Sequence, residues 1–256
     1  MNLEIRTIQE HESEKFLKLM CEVFELDFQR ASYVFFKEPF FDLKRKWVAT
    51  SNGEFVGCLT TVPMQFGYCN AIGIAGVAVA PNHRNKGIAG ALLDEVTQYS
   101  NSNGETHALL FAKDVRLYEK HGFHVLDNII IANINQPPPS ITVFPITHTE
   151  IQEIYNRWSQ QDKKRLVRDE TRWHHWEWHL KTSYRTENGY ACIEGNKVRE
   201  VIPEYTSLPA SDRLQWHGLE SMANFLNIPI QKTQSDTILM GKNFDFVPQM
   251  FLTDQF

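Results

Sequence analysis

No stretch of this 256-residue sequence stays apolar for long. Its most hydrophobic run, Ile72–Ala80, is far shorter than the ~20 residues needed to cross a bilayer. The opening MNLEIRTIQEHESEK is charged at once and has no apolar core of a signal peptide. A soluble, cytoplasmic protein without a membrane partner is expected. Cysteine is scarce. Cys21, Cys58, Cys69 and Cys192 form no CxxC pair and no metal-finger spacing, so they read as reduced, mostly buried thiols. A Cys58–Cys69 disulfide is the alternative. An excess of positive charge is also missing: Lys+Arg 26 against Asp+Glu 31 leaves −5. That excludes general nucleic-acid binding, because neutralising phosphates takes a cationic surface. Two familiar phosphate signatures, GxxxxGK[ST] and GxGxxG, are absent; only Gly-Ile-Ala-Gly tetrapeptides occur, at 73–76 and 87–90.

What is present is ordinary for a globular chain, with 42% hydrophobic and 22% charged residues. The length fits one large domain or two compact ones. A seam stands at Gln136-Pro137-Pro138-Pro139-Ser140, where three prolines lack backbone donors and hold an extended chain. It predicts units over 1–135 and 141–256 joined by a Pro-rich linker at 136–140.

The first unit alternates. Period two predicts strands at 3–6, 46–50, 55–63, 71–80, 107–112 and 123–133. Helical spacing predicts 8–28, 87–100 and a short helix at 115–121. Ser51-Asn52-Gly53 marks a hairpin, since Asn-Gly suits a type I′ turn. The second unit repeats the rhythm loosely: a strand at 141–144, helices near 149–159 and 170–181, and a hairpin over 189–203. A helix over 211–226 and strands at 237–240 and 246–252 follow. The class is α/β with a mixed sheet, and an internal duplication rests on element order alone.

The segment Val77-Ala78-Val79-Ala80-Pro81-Asn82-His83-Arg84-Asn85-Lys86-Gly87-Ile88-Ala89-Gly90 carries chemistry. A strand ends, a short polar loop carries Arg84 and Lys86, and a helix opens with Gly87. Helix N-termini leave N–H groups unpaired and carry partial positive charge, so such a loop suits a pyrophosphate. Gly87 and Ala89 let a ligand approach the backbone, and Arg84 and Lys86 add charge-assisted contacts.

Arg84-Asn85-Lys86-Gly87-Ile88-Ala89 resembles the [QR]xxGx[GA] signature of the GNAT acyltransferase superfamily, here preceded by Val-Ala-Val-Ala-Pro. Farther on, Leu117-Tyr118-Glu119-Lys120-His121-Gly122-Phe123 matches the family's L-Y-E-K-x-G-F. The resemblance covers about residues 71–133. It implies the GNAT fold, with acetyl-CoA as acyl donor and no metal. Val77, Ala78 and Val79 would flank the pantetheine arm, and the backbone from Asn85 to Gly90 would hold the pyrophosphate. An amine would attack the thioester, with its oxyanion near the Val77 N–H. Tyr118 matches the family's general acid; a phenol of pKa ~10 can protonate a thiolate whose conjugate acid lies near ~8.5. Packing beside Gly122-Phe123 is the plainer role for Tyr118.

There are departures. Phe111 stands where the family often has a cofactor-touching Asn. No glutamate lies on the Ile72–Val79 strand to serve as base, leaving Glu22, Glu25, Asp27, Glu54, Asp114 and a terminal carboxylate of Phe256 as candidates. The second unit, which has no such phosphate loop, is expected to be a degenerate GNAT-like domain that shapes the acceptor site. Arg168 and Trp178-His179-Leu180 resemble a segment in the second halves of tandem GNAT proteins.

In Trp173-His174-His175-Trp176-Glu177-Trp178-His179, His175 and His179 are four apart, but Glu177 points ~200° away from His175 on a helix. An aromatic helix that packs between units or lines a groove is expected instead of a metal site. Gln160–Arg165 reads as a solvated loop or helix end. The expected activity is an N-acetyltransferase acting on a small amine or peptide amine, with a homodimer left open. A non-catalytic acyl-CoA sensor is the rival, and a longer acyl group the third reading.

Overall fold

A computed structural model describes residues 3–135, 144–179, 182–186, 188–203 and 214–256; the expected linker at 136–140 lies outside them. In helix α1 (Ser13–Phe24), Phe16, Leu17 and Leu19 point inward, and left-handed Glu25 caps its end through an N–H to the Cys21 carbonyl. Asp27 starts α2 (Phe28–Phe35) by accepting the Arg30 N–H at 2.8 Å. Strands β1 (Leu3–Thr7), β2 (Lys46–Ser51) and β3 (Glu54–Phe66) follow as an antiparallel set. The expected turn joins the last two, with Asn52 and Gly53 both at positive φ.

Next come β4 (Asn70–Val79), α3 (Ile88–Ser102), β5 (His107–Ala112), α4 (Arg116–Glu119) and β6 (His124–Ile134). The later elements are β7 (Phe144–Pro145), α5 (His148–Ser159), β8 (Leu166–Val167), α6 (Glu170–His179), β9 (Ser183–Arg185), β10 (Tyr190–Glu194) and β11 (Lys197–Ile202). The chain closes with β12 (Gln215–Leu219), α7 (Glu220–Phe225) and β13 (Ile230–Lys242). Among the described residues no helix is long and apolar enough to cross a membrane.

All strands join one mixed sheet in the order β1-β2-β3-β4-β5-β13-β6-β12-β11-β10-β9-β7, with β8 attached to β3. The two sequence units therefore do not build two separate sheets. β13, from beyond the prolines, lies between β5 and β6 and is antiparallel to both.

Two expectations are corrected. The helix foreseen over 211–226 is, in its described part, a strand followed by one short helix. Leu214, Trp216 and Gly218 turn inward while Gln215 and His217 are half-buried, which is period two, and only the stretch after Leu219 coils. The strand foreseen at 246–252 is irregular: Pro248 offers no donor, and a single bridge between Arg165 and Gln249 replaces a ladder. Met250 and Phe251 still fill the core there.

The sheet has two working faces. On the back, α3 sends Ile88, Leu92, Leu93 and Val96 against Ile72, Ile74 and Leu110. Toward β1–β4 the front carries α1, with Phe16 and Leu17 near Cys58 and Ala78. Farther along, the aromatic core of the second unit forms around Tyr155, Trp173, Trp176 and Trp216. Each large side chain buried here stabilises the fold by roughly 1.5–3 kcal/mol relative to exposure.

Candidate functional site

β4 and β5 begin as parallel partners, from Ala71 opposite His107 to Ile74 opposite Leu110, and then separate. The cause lies in β4. Its pairing with β3 slips between Cys58 and Thr60, which face Ala78 and Ala75, so β4 carries an extra residue at left-handed Gly76 (φ 60°). The bulge turns the Val77–Val79 end away from β5 and leaves its outward backbone edge without a strand partner among the described residues. Val77 and Val79 are half-buried on the back, and Ala78 is fully buried against α1.

At the open end stands the polar loop. Asn85 (φ 61°) and Gly87 (φ 78°) are left-handed and Lys86 between them is not, an alternation that gathers successive N–H groups into a concavity. The first backbone bond of α3 runs from the Ala91 N–H to the Gly87 carbonyl, so the N–H groups of Ile88, Ala89 and Gly90 have no helical acceptor. No side chain caps this end, and no acidic residue stands in its first turn. Arg84 and Lys86 are exposed beside it. Lys86 Nζ is 2.9 Å from the Asn82 carbonyl and Arg84 Nε is 3.5 Å from that of Val79. Gly90 has a second reason to lack a side chain, because the His121 ring lies against it and is itself held by Asp94 at 2.8 Å. That contact joins α3 to the segment after α4.

Tyr118, on α4, packs on the back-face cluster that also receives Val77 and Val79, with its ring edge-on to Phe123 at 6.2 Å. Burial, and secondarily the charge of Asp114, push its phenol up from the ordinary value. It keeps its proton throughout the neutral range. Phe111 faces the front, where its ring meets that of Phe256 at 5.2 Å.

A cleft of about 850 Å³ opens on the front beside the bulge, bounded by α1, α2, Ala75, Gly76, Thr253 and Phe256. Its inner wall is apolar, with Leu17, Met20, Phe35, Phe40 and Val62. Of the base candidates only Glu25, Asp27 and Phe256 border it; Glu22, Glu54 and Asp114 do not. Asp27 is engaged as the cap of α2, and Asp114 pairs with Arg116, which holds its carboxyl down at about 2. Sequence reasoning missed two further carboxylates on the cleft, Glu38 and Glu194. Glu38 binds the buried Lys46 at 2.8 Å, and Lys46 Nζ lies 5.1 Å above the Phe35 ring. A lysine opening a strand that continues Trp-Val-Ala was the available signal.

The far wall hangs on Arg168. Its guanidinium is fully buried, donating to Glu200 at 2.7 Å and to Asp254 at 2.8 Å, and stacking 3.7 Å from the Tyr155 ring centre. Burial opposes its charge, but Asp254 and Glu200 outweigh that and hold its pKa above the ordinary value. Tyr190, Thr253 and Trp176 donate to Glu200 as well. Arg172, also buried, donates to the carbonyl of Pro63 at 2.6 Å and reaches that of Asp254. Together they fasten the turn Leu252–Asp254 and the Phe256 segment to β3. The match at Arg168 thus marks an internal ion network, whose partners Glu200 and Asp254 gave no local signal.

The tryptophan-rich segment is a core helix that also reaches the cleft through His175, whose ring packs 4.7 Å from Phe40. Glu177 pairs with His148 at 2.7 Å, on another side from His175. The reading of 160–165 as solvated holds at the exposed Gln160, Gln161, Lys163 and Lys164 and fails at Arg165, which is buried, stacks on Trp158 at 4.2 Å and donates to the Trp158 carbonyl. All four cysteines are free, so Cys58 and Cys69 are not bridged.

No curated protein sequence matches the chain. Residues 4–126 match the acetyltransferase (GNAT) domain family. A GCN5-related N-acetyltransferase from Kribbella flavida superposes with a TM-score of 0.72 at 16% identity, over 94% of this chain and 70% of that one. One from Anabaena variabilis gives 0.69 at 17%, over 94% and 72%. Eis1 from Mycobacterium abscessus gives 0.65 at 15%, over 93% and 73%. At these identities the likeness is one of fold. The splayed parallel pair and the family match define the class: a GNAT fold of mixed α/β architecture. Residues 4–126 carry the acetyltransferase (GNAT) domain of that family.

Proposed function

We propose that the protein is an acetyl-CoA-dependent N-acetyltransferase. The observation that carries this reading is the gap between β4 and β5, lying between an uncapped helix N-terminus and a large cleft. A chain with a diphosphate at one end and amides along its length fits such a gap. The N–H groups from Asn85 to Gly90 offer donors to the diphosphate, with Arg84 and Lys86 adding charge. The free edge of Val77–Val79 offers the amides a strand-like partner.

The acceptor amine comes from the cleft side. Its lone pair attacks the thioester carbonyl carbon while the Val77 N–H steadies the growing negative charge on oxygen. The carbon–sulfur bond breaks, and the departing thiolate takes the Tyr118 proton. Glu25, which borders the cleft and caps α1 through its backbone alone, with no ion pair on its carboxylate among the described residues, receives the amine's proton directly or through water. Residues 141–256 act as a degenerate GNAT-like accessory unit that walls the cleft. Four free thiols suit a reducing compartment such as the cytosol.

The experiment is calorimetric binding of acetyl-CoA to the full chain, paired with free-thiol release over a panel of small, polycationic and peptide amines. Binding with amine-dependent release is expected. Tight binding without release on any amine would favour the non-catalytic sensor, and no binding would refute both.

A further inference from the structure

We propose that Phe256 sets the acyl-chain length of this site, limiting the donor to acetyl or propionyl groups. The inference rests on the acyl-CoA reading above and names a specificity determinant within it. Direction comes first. With the diphosphate at the N-terminus of α3, beyond the Val79 end of β4, the arm descends along Val79 and Val77 toward Gly76 and Ala75. Its acyl end therefore faces the closed end of the gap, where Ile74 and Leu110 pair again.

On the front face at that closed end stands an aromatic stop. Three ring atoms of Phe256 lie 2.6 Å from where a Cβ on Gly73 would be, so the ring lies flat on the strand in the place of a side chain. Phe111, the first β5 residue past the last pair, presses on the same ring, with planes inclined by 37°. Phe256 also borders the cleft, so it stands between that space and the closed end. Any chain longer than a few carbons would have to displace it.

The ring cannot yield easily. Two residues before it, Asp254 is fully buried and held by Arg168, and Leu252 is buried too. Behind it the glycine backbone leaves no side chain to rotate away. Removing the ring would leave an apolar space continuous with the cleft, which suits a longer alkyl tail.

The test measures dissociation constants for acetyl-, butyryl- and hexanoyl-CoA, using full-length wild type, Phe256→Ala and Phe256→Leu. Hexanoyl-CoA is expected to bind wild type at least about tenfold more weakly than acetyl-CoA. Phe256→Ala should shift that ratio about tenfold or more toward hexanoyl, with Phe256→Leu between, each at a cost of order 1.4 kcal/mol per tenfold step. An unchanged ratio in the variants overturns the gauge while leaving the acyl-CoA reading intact, as does hexanoyl-CoA binding wild type as tightly as acetyl-CoA. Failure of wild type to bind any of the three overturns both. Should Phe256→Ala not fold, Phe256→Leu carries the comparison.

Discussion

Gly87 offers a clean separation of backbone geometry from packing. Its φ of 78° is left-handed, and a Cβ built on it meets nothing within 4 Å. A Cβ there has open space around it, so the cost of a valine is conformational, about 1–2 kcal/mol for holding a side-chain-bearing residue left-handed. The free protein escapes that strain when the exposed loop relaxes, but binding a diphosphate requires the original turn, so the strain appears in the affinity. Gly87→Val should therefore weaken acetyl-CoA binding by about 5- to 30-fold, with little change in melting temperature. Asparagine tolerates the left-handed region, and this chain already uses it there at Asn52, Asn85, Asn227 and Asn243. Gly87→Asn should thus keep most of the affinity. Calorimetry on the three proteins with matched melting curves decides the matter. Equal affinity in wild type and Gly87→Val, or equal loss in both variants, would refute the role of this turn.

Tyr118→Phe should lower turnover by about 10²–10⁴-fold while acetyl-CoA affinity stays within a factor of two or so. Since burial raises this phenol, any alkaline loss of rate due to it belongs above the ordinary tyrosine value near 10; a tyrosine-dependent fall near pH 8 would contradict the assignment. Arg168→Met leaves two buried carboxylates facing each other and should cost about 3–5 kcal/mol in urea unfolding, partly recovered by adding Glu200→Gln. A loss below about 1 kcal/mol would refute the network. Arg6 holds the Glu12 carboxyl down to about 2 from an ordinary 4.5 through a paired hydrogen bond. Its contribution is fully present above pH 4.5 and fades as pH falls toward 2, so Glu12→Gln should flatten the acid limb of a stability–pH curve. An identical limb in the variant would exclude the pair as its source.

The back of the site was legible because its information is local. The strand before Pro81, the loop glycine and the helix after it are contiguous, and each obeys a short-range rule of turn, cap or period. Tyr118 lay within a contiguous motif for the same reason. The front was not legible, because it is assembled from distant chain. Phe256 reaches Gly73 only through Arg168, Glu200 and Asp254, three charged residues that composition alone would put on the surface. The failed helix at 211–226 has a similar origin: Trp216 and Gly218 face inward in a sheet whose neighbours sit near residues 130 and 200. Arg165 was misjudged because stacking on Trp158 leaves no trace in a run of charged letters.

The place of β13 has a consequence in time. Leu110 and Met240, which pair across the middle of the sheet, are 130 residues apart. Strands β5 and β6 are made about a hundred residues before β13, the strand that joins them in the sheet. Each then presents a bare hydrogen-bonding edge of apolar sequence, the kind of edge that recruits strands from other molecules. A chain of this topology is at its most aggregation-prone before β13 is made, and assembly is slow because distant contacts must close before they are rewarded. Until residues 230–242 are made, β5, the second side of the gap beside β4, has no strand partner on its other edge.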